Sequence, residues 1–215
     1  MKILLIGALG KMGTQMQRFM KQHSIDFVAV DKQNFNSCFD VDFDVIVDFS
    51  CAEALKQNLD LATQKQKPIL IATTNHDATN EHMLKLASKK IAIAVCPNLS
   101  VGVLTVSKMI ENFKPINTFD FVLTETHHKQ KKDAPSGTAK QFLNALSKQG
   151  IIPQVVAIRA GQIVGEHTIT AIGENEVVEI KHTAITRDCF CNGAIEVCKS
   201  LINKSAGLYH IEDLL

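Results

Sequence analysis

Apolar runs alternate with segments of helical spacing along the first hundred residues of the chain. The runs at 3–6 and 45–47 are apolar throughout, which is typical of strands buried on both faces of a parallel sheet. The segment 11–22 instead places its large apolar side chains on one helical face. This alternation predicts the order β-α-β-β-α-β-α-β, with strands at 2–7, 27–30, 44–48, 68–72 and 91–95 and helices at 11–22, 51–64 and 80–89.

The pattern changes after Pro97. Residues 117–126 alternate between apolar and polar, as a strand does in a half-exposed sheet, and several strand-like stretches follow between 154 and 185. A hairpin turn is predicted around 173–175, and helices are predicted at 101–113, 136–148 and 188–203. Residues 32–43 carry little helical pattern, which predicts a loop or a short turn there.

These patterns predict an α/β protein with a Rossmann-like, doubly wound parallel sheet and a smaller α+β domain that contains a mixed sheet. We expect residues 1–98 to form the first domain, completed by 189–215, and residues 99–188 to form the second. No proline- or glycine-rich tract separates the two, so the boundary near residue 98 predicts a hinge-like joint rather than a linker.

Composition and charge exclude several classes of function. The 215 residues carry a formal net charge of +1 and include no Trp and one Tyr, which gives no support for nucleic-acid binding. No stretch approaches the roughly 18 to 20 apolar residues of a membrane span, and 3–6 is too short for the core of a signal peptide. These features predict a cytoplasmic protein with no nucleic-acid or membrane partner.

The six cysteines are expected to be reduced cytosolic thiols, most of them small core residues. Cys189 and Cys191 stand two positions apart, not far along the chain from His182. That spacing does not match a zinc knuckle, and no second half of such a site follows. We therefore predict no metal site.

A glycine-rich turn follows the first predicted strand and opens the first predicted helix. Its sequence is GALGKMG, with Gly7, Gly10 and Gly13 spaced as GxxGxxG rather than the more usual GxGxxG. Such glycines permit a tight turn, a close approach of a pyrophosphate to the backbone and close packing of the helix on the sheet. A plain structural turn would also use glycines, but the position at the first βα junction favours dinucleotide binding.

The ends of later strands carry residues that could complete a dinucleotide site. Asp31 ends the second strand 18 residues after Gly13, where a carboxylate can accept from a ribose hydroxyl, and Lys32 next to it can attract a 2′-phosphate. The pair therefore predicts use of either NADH or NADPH, unless it is only a solvated charge pair. Polar residues at 73–74 and 97–100 can hold a nicotinamide ribose, although the same residues are common helix caps.

A second chemical segment spans residues 125–139, with the sequence ETHHKQKKDAPSGTA. Two histidines and three lysines lie within six residues, directly before a Pro-Ser-Gly-Thr turn that opens a helix. Such a run can be a solvated basic loop. Its convergence with a helix N-terminus instead favours a small substrate that carries carboxylates. Histidine and lysine can also transfer or supply a proton to such a substrate.

This second segment closely resembles the E-x-H-H-x-x-K-x-D-A-P-S-G-T-A signature of the 4-hydroxy-tetrahydrodipicolinate reductase family, the dihydrodipicolinate reductases of bacterial lysine and diaminopimelate biosynthesis. Other segments resemble the same family in the same order, so the resemblance covers nearly the whole chain. They are GALGKMG at 7–13, DFS at 48–50, PNLSVGV at 97–103, RAG-x-x-x-GEH at 159–167 and TRD-x-F-x-x-GA at 186–194.

The resemblance implies a role for each matching residue. His127 corresponds to the family's catalytic histidine and Lys131 to the lysine that donates a proton. The residues implied to bind substrate carboxylates are His128, Ser136, Gly137, Thr138 and, less directly, Arg187. Those implied to contact NADH or NADPH are Gly7, Ala8, Leu9, Gly10, Lys11, Met12, Gly13, Asp31, Lys32, Phe49, Ala72, Thr73, Thr74, Pro97, Asn98, Leu99 and Ser100.

The resemblance further implies reduction of a cyclic dicarboxylate with loss of water, and a homotetramer formed through the sheet of the second domain. Two departures are visible: the family's G-T-T-G loop is here A-T-T-N at 72–75, and 32–43 is shorter than in longer members. Two alternative classes of protein would have the same nucleotide-binding pattern in their first hundred residues. One is another two-domain nicotinamide enzyme such as an aspartate dehydrogenase, and the other is a non-catalytic protein that senses NAD(P).

Overall fold

The computed structural model describes residues 1–74 and 76–215, except for the side chain of Ser37. The chain divides into two compact units, one made of residues 1–99 and 190–215 and the other of residues 100–189. In chain order the elements are β1 (Lys2–Ile6), α1 (Lys11–Gln22), β2 (Asp26–Val30), β3 (Val45–Asp48), α2 (Leu55–Lys65), β4 (Ile69–Ile71), α3 (Ala78–Ala87), β5 (Ala92–Val95), α4 (Val101–Ile110), β6 (Asp120–His127), α5 (Gly137–Lys148), β7 (Gln154–Arg159), β8 (Gly165–Ile172), β9 (Val177–Ala184), α6 (Asp188–Leu201) and β10 (Gly207–Tyr209).

The first unit is built on a parallel sheet of six strands in the order β10-β5-β4-β3-β1-β2. Both faces of this sheet are covered, because successive side chains of β1 point to opposite faces and all are buried from Ile3 to Ile6. Leu4 and Ile6 pack with side chains of α2 and α3 in one core cluster. The predicted doubly wound, Rossmann-like sheet is confirmed.

Most predicted elements of this unit are present, and the differences have local causes. The helix predicted at 80–89 begins two residues earlier, at Ala78, because the Asp77 side chain accepts a hydrogen bond from the Asn80 amide and caps it. The segment 32–43 contains only a short 3-10 turn at Phe35–Asp40, in agreement with the prediction of a loop or short turn. Strand β10 was not predicted, since three residues are too few to show a periodic pattern.

The second unit contains a four-stranded sheet in the order β7-β6-β8-β9. Strands β6 and β7 are parallel and the other pairs antiparallel, which confirms the predicted mixed sheet. The predicted hairpin joins β8 to β9, where the Gly173 amide donates to the Glu176 carbonyl. On one face, apolar side chains of β6 and β8 pack with α4 and α5 around the fully buried Phe142.

No helix within the described residues is both long enough and apolar enough to cross a membrane.

Candidate functional site

The glycine loop of the first unit is packed so closely that side chains cannot replace two of its glycines, Gly7 and Gly13. Gly7 has a φ of +79°, and a Cβ atom there would lie 2.7 Å from the backbone of Phe49 and Ser50. A Cβ atom on Gly13 would lie 2.1 Å from the Gly7 carbonyl oxygen. Helix α1 therefore starts directly against the loop, as a pyrophosphate cradle requires.

The N-terminus of α1 presents its amide groups at the crossover point of the sheet. Gly10 is the N-cap residue of this helix, and no side chain within the described residues caps it. Strands β1 and β3 are neighbours, and the chain leaves them in opposite directions, from β1 to β2 and from β3 to β4; ligands of such sheets bind beyond the carboxyl ends of these two strands. The geometry of the described residues therefore fits a nucleotide phosphate, which the helix dipole would also favour.

The turn after β3 is held by a buried carboxylate. Asp48 is fully buried and accepts hydrogen bonds from the Ser50 amide at 2.8 Å and from the Asn58 side chain of α2 at 2.8 Å. Burial raises the pKa of Asp48, against the opposing effect of these hydrogen bonds. Because the Phe49–Ser50 backbone lies against Gly7, Asp48 supports the wall of the glycine loop, a role that the sequence indicated only through the DFS motif.

The remaining predicted nucleotide contacts of the first unit lie at other strand ends. The Asp31 carboxylate accepts from the Gln33 amide at 3.0 Å, and Lys32 beside it is exposed. Thr73 is buried, with its hydroxyl 3.1 Å from His76 Nε2, whereas Asn75 lies outside the described residues. The other predicted contacts of this unit are placed at the glycine loop and at the ends of β4 and β5: Ala8, Leu9, Lys11, Met12, Ala72, Thr74, Pro97, Asn98 and Leu99.

Two of the predicted nucleotide contacts have evident structural roles. Leu99 is buried, and its carbonyl oxygen lies against Gly193 of α6, where a Cβ atom would be 1.7 Å away. Ser100 belongs to the second unit and caps α4, because its hydroxyl accepts from the Val103 amide at 3.2 Å. The capping alternative considered for this segment therefore holds for Ser100.

A row of polar side chains crosses the helix-covered face of the sheet in the second unit. Glu125 of β6 is paired in register with His167 of β8, which is paired with His182 of β9. Two residues further along β6, His127 is paired with Arg159 of β7. Alternation along the strands turns all of these toward the same face, where Glu125, His127 and His167 are buried.

Glu125 is the centre of this cluster and is completely buried. One carboxylate oxygen accepts from Arg159 Nη2 at 2.7 Å, and the other accepts from the Ser136 amide at 3.0 Å. Burial alone would raise the pKa of Glu125, but the hydrogen bonds from Ser136 and Arg159 outweigh it and leave the pKa below its usual range. The carboxylate is therefore ionised at neutral pH.

The two buried histidines are equally distant from the same carboxylate oxygen of Glu125. His127 Nδ1 and His167 Nε2 are each 3.7 Å from Glu125 Oε2, and the two rings meet edge to face at 5.1 Å. Burial lowers the pKa of His127 although Glu125 opposes the shift, and burial together with the charge of His127 lowers the pKa of His167 to about 4. His167 is thus neutral at physiological pH.

The N-terminus of α5 opens beside this cluster. The Ser136 hydroxyl accepts from the Ala139 amide at 3.1 Å and contacts His167 Nε2 at 3.0 Å. Gly137 is exposed, and a Cβ atom there would meet nothing within 4 Å, so the first turn of the helix borders open space. The amides of this first turn and the helix dipole suit a carboxylate of a ligand.

Lys131 lies in the loop between β6 and α5. Its ammonium group is 2.8 Å from both carboxylate oxygens of Asp133, and this pairing lowers the pKa of Asp133. The charge of Lys131 also acts on His127, whose pKa it lowers. The structure therefore brings the two predicted catalytic residues into one electrostatic environment.

Some of the predicted substrate-binding residues lie beside the buried cluster, and one does not. Ser136, Gly137 and Thr138 form the start of α5 beside the cluster, and His128 directly follows His127, with its amide donating to the Ile163 carbonyl. Arg187 is exposed just before α6 and is not among the side chains that form the cluster. Sequence reasoning omitted Glu125, Arg159 and His167, although the motifs at 125–139 and 159–167 contain them.

Glu125, His127 and His167 lie near enough that one atom from each falls within 4.8 Å of the others, a distance that a metal ion could bridge. The arrangement fits a cation poorly, because Arg159 already places a positive charge 2.7 Å from the carboxylate. The Ser136 amide and hydroxyl also occupy the other carboxylate oxygen and His167 Nε2. The cluster is better described as a hydrogen-bonded ion pair flanked by two histidines.

Comparison with protein families assigns both parts of the chain. Residues 1–99 match the N-terminal model of dihydrodipicolinate reductase, and residues 102–215 match the C-terminal model. A 4-hydroxy-tetrahydrodipicolinate reductase of Bdellovibrio bacteriovorus is 33% identical over 219 positions, covering all of this chain and 96% of the relative. One from Xanthomonas axonopodis pv. citri is 35% identical over 231 positions, covering all of this chain and 97% of the relative.

Solved structures agree on the fold. A dipicolinate-bound dihydrodipicolinate reductase from Paenisporosarcina has a TM-score of 0.78 at 18% identity and covers all of this chain and 99% of its own. An aspartate dehydrogenase from Thermotoga maritima has a TM-score of 0.52 at 14% identity, covering 95% of this chain and 98% of its own. At such identities both structures show only the fold. The family is shown by the two family models and by the relatives that align over the whole chain. The chain belongs to the dihydrodipicolinate reductase family.

Proposed function

We propose that this chain catalyses the NAD(P)H-dependent reduction of 4-hydroxy-tetrahydrodipicolinate to tetrahydrodipicolinate, with release of water. The observation that carries the proposal is the convergence of His127, Lys131 and the start of α5 around the buried Glu125–Arg159 pair. This arrangement offers both a place for carboxylates and two groups that can handle a proton. The names of the relatives support the same reaction.

The nucleotide would be held by the first unit, with its phosphates at the amides of α1 and the walls formed by Gly7 and Phe49. When bound, the nicotinamide supplies the hydride. Asp31 can accept from a ribose hydroxyl and Lys32 can attract a 2′-phosphate, which supports use of both NADH and NADPH. The remaining contacts are proposed at Ala72–Thr74 and 97–100.

The second unit would orient and protonate the substrate. The amides of Gly137 and Thr138 would donate to one carboxylate at the start of α5, and His128, with Arg187, would contribute to binding the other. Lys131 or His127 supplies the proton that neutralises the ring as the hydride arrives. Asp133 holds the Lys131 ammonium in place between turnovers.

The substrate for the test is the product of the preceding synthase reaction, and the readout is loss of the reduced-nicotinamide absorbance with each cofactor in turn. We expect turnover with both NADH and NADPH. Retained nucleotide binding without any turnover would contradict the proposal and favour a nucleotide-sensing protein. An enzyme of this pathway would work in the cytoplasm, where both cofactors and the substrate are available.

We also propose that the chain forms a homotetramer through the sheet of the second unit. The face of that sheet opposite α4 and α5 carries partly exposed apolar side chains, among them Val156, Ile158, Ile172 and Val177. Exposed apolar side chains grouped on one face of a sheet are typical of a protein–protein interface. The family resemblance supports four copies rather than two.

A further inference from the structure

We infer that Glu125 is a positioning residue of the proposed reaction: its buried carboxylate holds the loop that carries Lys131 against β6 and provides the negative charge that His127 faces. The inference rests on the proposed function for the roles of His127 and Lys131. It adds a residue to which no role in the reaction was assigned from the sequence.

The contacts of Glu125 fix the far end of the catalytic loop, residues 128–136. The Ser136 amide donates to Glu125 Oε2 at 3.0 Å, and Arg159, bound to Oε1, also donates to the Asp133 carbonyl at 2.6 Å. The near end is held by the His128 amide, which donates to the Ile163 carbonyl at 2.8 Å. Lys131 lies between these anchors, so the position of its ammonium group depends on the Glu125–Arg159 pair.

Removing either member of the Glu125–Arg159 ion pair would destabilise the folded protein. Glu125 is completely buried, and the side chain of Arg159 is only 19% exposed. Removing one partner would leave the other as a buried charge without compensation, which is strongly unfavourable. The loop geometry is therefore coupled to an ionised Glu125, and a neutral isostere cannot satisfy both the guanidinium and the Ser136 amide, since an amide side chain offers only one oxygen.

Charged and titratable groups face His127 from each packed element: Glu125 on its own strand, Lys131 and Asp133 from the loop, Arg159 from β7 and His167 from β8. Burial is the largest influence and lowers the pKa of His127, and Glu125 is the next largest and raises it. Without the negative charge of Glu125, the pKa of His127 would fall further. A residue that acted only through packing, without its charge, would leave the titration of His127 unchanged.

The first experiment compares Glu125→Gln with the wild-type enzyme, using Glu125→Asp as the conservative variant and Glu196→Gln as the matched control. Glu196 lies on α6 and forms a partly exposed ion pair with Lys199, a kind of pair that contributes little, so its change should be silent. We expect Glu125→Gln to lower kcat by about 100-fold, the size of a typical proton-transfer contribution, while nucleotide affinity stays at the wild-type value. Glu125→Asp, which keeps the charge, should recover part of the loss.

The second readout does not require activity. In NMR spectra of isotope-labelled histidine, with the His127 signal identified by its absence in His127→Gln, the midpoint of the His127 titration should move to lower pH in Glu125→Gln. It should remain at the wild-type pH in Glu196→Gln. An unchanged midpoint, or a kcat within a few-fold of wild type, would overturn the inference. An inactive wild-type enzyme would instead contradict the proposed function and leave the titration test standing.

Arg159→Lys covers the case in which Glu125→Gln does not fold. A lysine keeps a positive charge next to Glu125, but its single ammonium group cannot reproduce the fork that also binds the Asp133 carbonyl. We expect kcat to fall while the His127 titration stays near the wild-type midpoint, because the charges around it are retained. Unchanged kcat in this variant would show that the loop does not depend on the pair.

Discussion

At the scale of single residues, burial and neighbouring charges give chemically identical side chains different roles. His127 and His167 lie on the same face of one sheet and are equally distant from Glu125, yet His167 also contacts the Ser136 hydroxyl that caps α5. Its low pKa of about 4 keeps it neutral and apt for a structural hydrogen bond. His127 retains more freedom to change its protonation, which agrees with the proton-handling role proposed for it.

The titration of His167 predicts an acid-sensitive fold. Unfolding returns the pKa of this imidazole from about 4 to the ordinary value for histidine, 6.5, so the unfolded state binds a proton more readily. Stability is therefore lost as pH falls from about 6.5 toward 4, by about 2 to 3 kcal/mol from this residue alone at pH near 4.5. Urea unfolding at neutral and acidic pH checks this, and His167→Asn should show a weaker pH dependence; an unchanged dependence would contradict the assignment.

The proposed role of Lys131 predicts that its replacement lowers turnover and leaves nucleotide binding unchanged. Lys131→Ala removes the ammonium group that Asp133 holds, so we expect kcat to fall by at least about 100-fold. Nucleotide affinity should stay near the wild-type value, because the glycine loop lies in the other unit. Steady-state kinetics and a nucleotide titration provide the measurement. Turnover that survives within a few-fold would show that Lys131 is not the proton donor.

At the scale of elements, the sheet and helix ends bring together residues from distant parts of the chain. The glycine loop needs β1, the start of α1 and the turn after β3, which Asp48 holds in place. The second cluster needs β6, β7 and β8 in register, and the start of α5 above them. In both places a helix begins beside the ends of sheet strands, and the positive end of its dipole favours an anionic group there.

The packing of the glycine loop predicts a graded response to alanine. A Cβ atom at position 13 would lie 2.1 Å from the Gly7 carbonyl oxygen, whereas one at position 10 would lie 3.3 Å from the same atom. We expect Gly13→Ala to weaken NADPH binding by about 10-fold or more and to cost about 1 to 3 kcal/mol of stability, as overpacking typically does. Gly10→Ala should have the smaller effect.

The control for this series is Gly137→Ala, since a Cβ atom there meets nothing within 4 Å. Its nucleotide affinity and midpoint of thermal unfolding should match the wild type. Calorimetric titration and thermal unfolding measure both quantities. Equal effects of Gly10→Ala and Gly13→Ala would mean that the loop is more tolerant than its packing indicates.

At the scale of the whole molecule, the second unit presents one covered and one uncovered sheet face. The covered face holds the core and the candidate site. The other face carries threonines, apolar side chains such as Val156 and Ile158, and the ion pair between Lys181 and Glu166. The proposed homotetramer would bury part of this second face. Self-association there would also stiffen the sheet whose opposite side carries Glu125 and His127.

The proposed assembly predicts a mass of four times 23.7 kDa for the wild-type protein in solution. Ile158→Lys places a charge on the outward face, next to Thr126 in register, and should lower that mass by weakening the interface. Ile152→Lys is the control, because Ile152 is already 93% exposed outside the sheet. Light scattering after size-exclusion chromatography measures both; an unchanged mass for Ile158→Lys would exclude this face as the interface.

Local patterns predicted much of this architecture. Helix α1 has the predicted limits, and the strands of the parallel sheet differ by a residue or two at their ends, because apolar periodicity is a local property. Strand β10 escaped prediction, since it exists only through pairing with β5. The start of α3 depended on one side-chain cap at Asp77 that periodicity does not record.

The sequence by itself determined most of the helices and strands, the glycine loop and the segment that carries His127 and Lys131. Each of these depends on residues that are close together in the chain. Only the tertiary structure decided that Glu125, Arg159 and His167 form one cluster. These residues lie on three strands, and strand register alone makes them neighbours. Their charges then follow from burial and hydrogen bonding, which are properties of the folded environment rather than of the residue types.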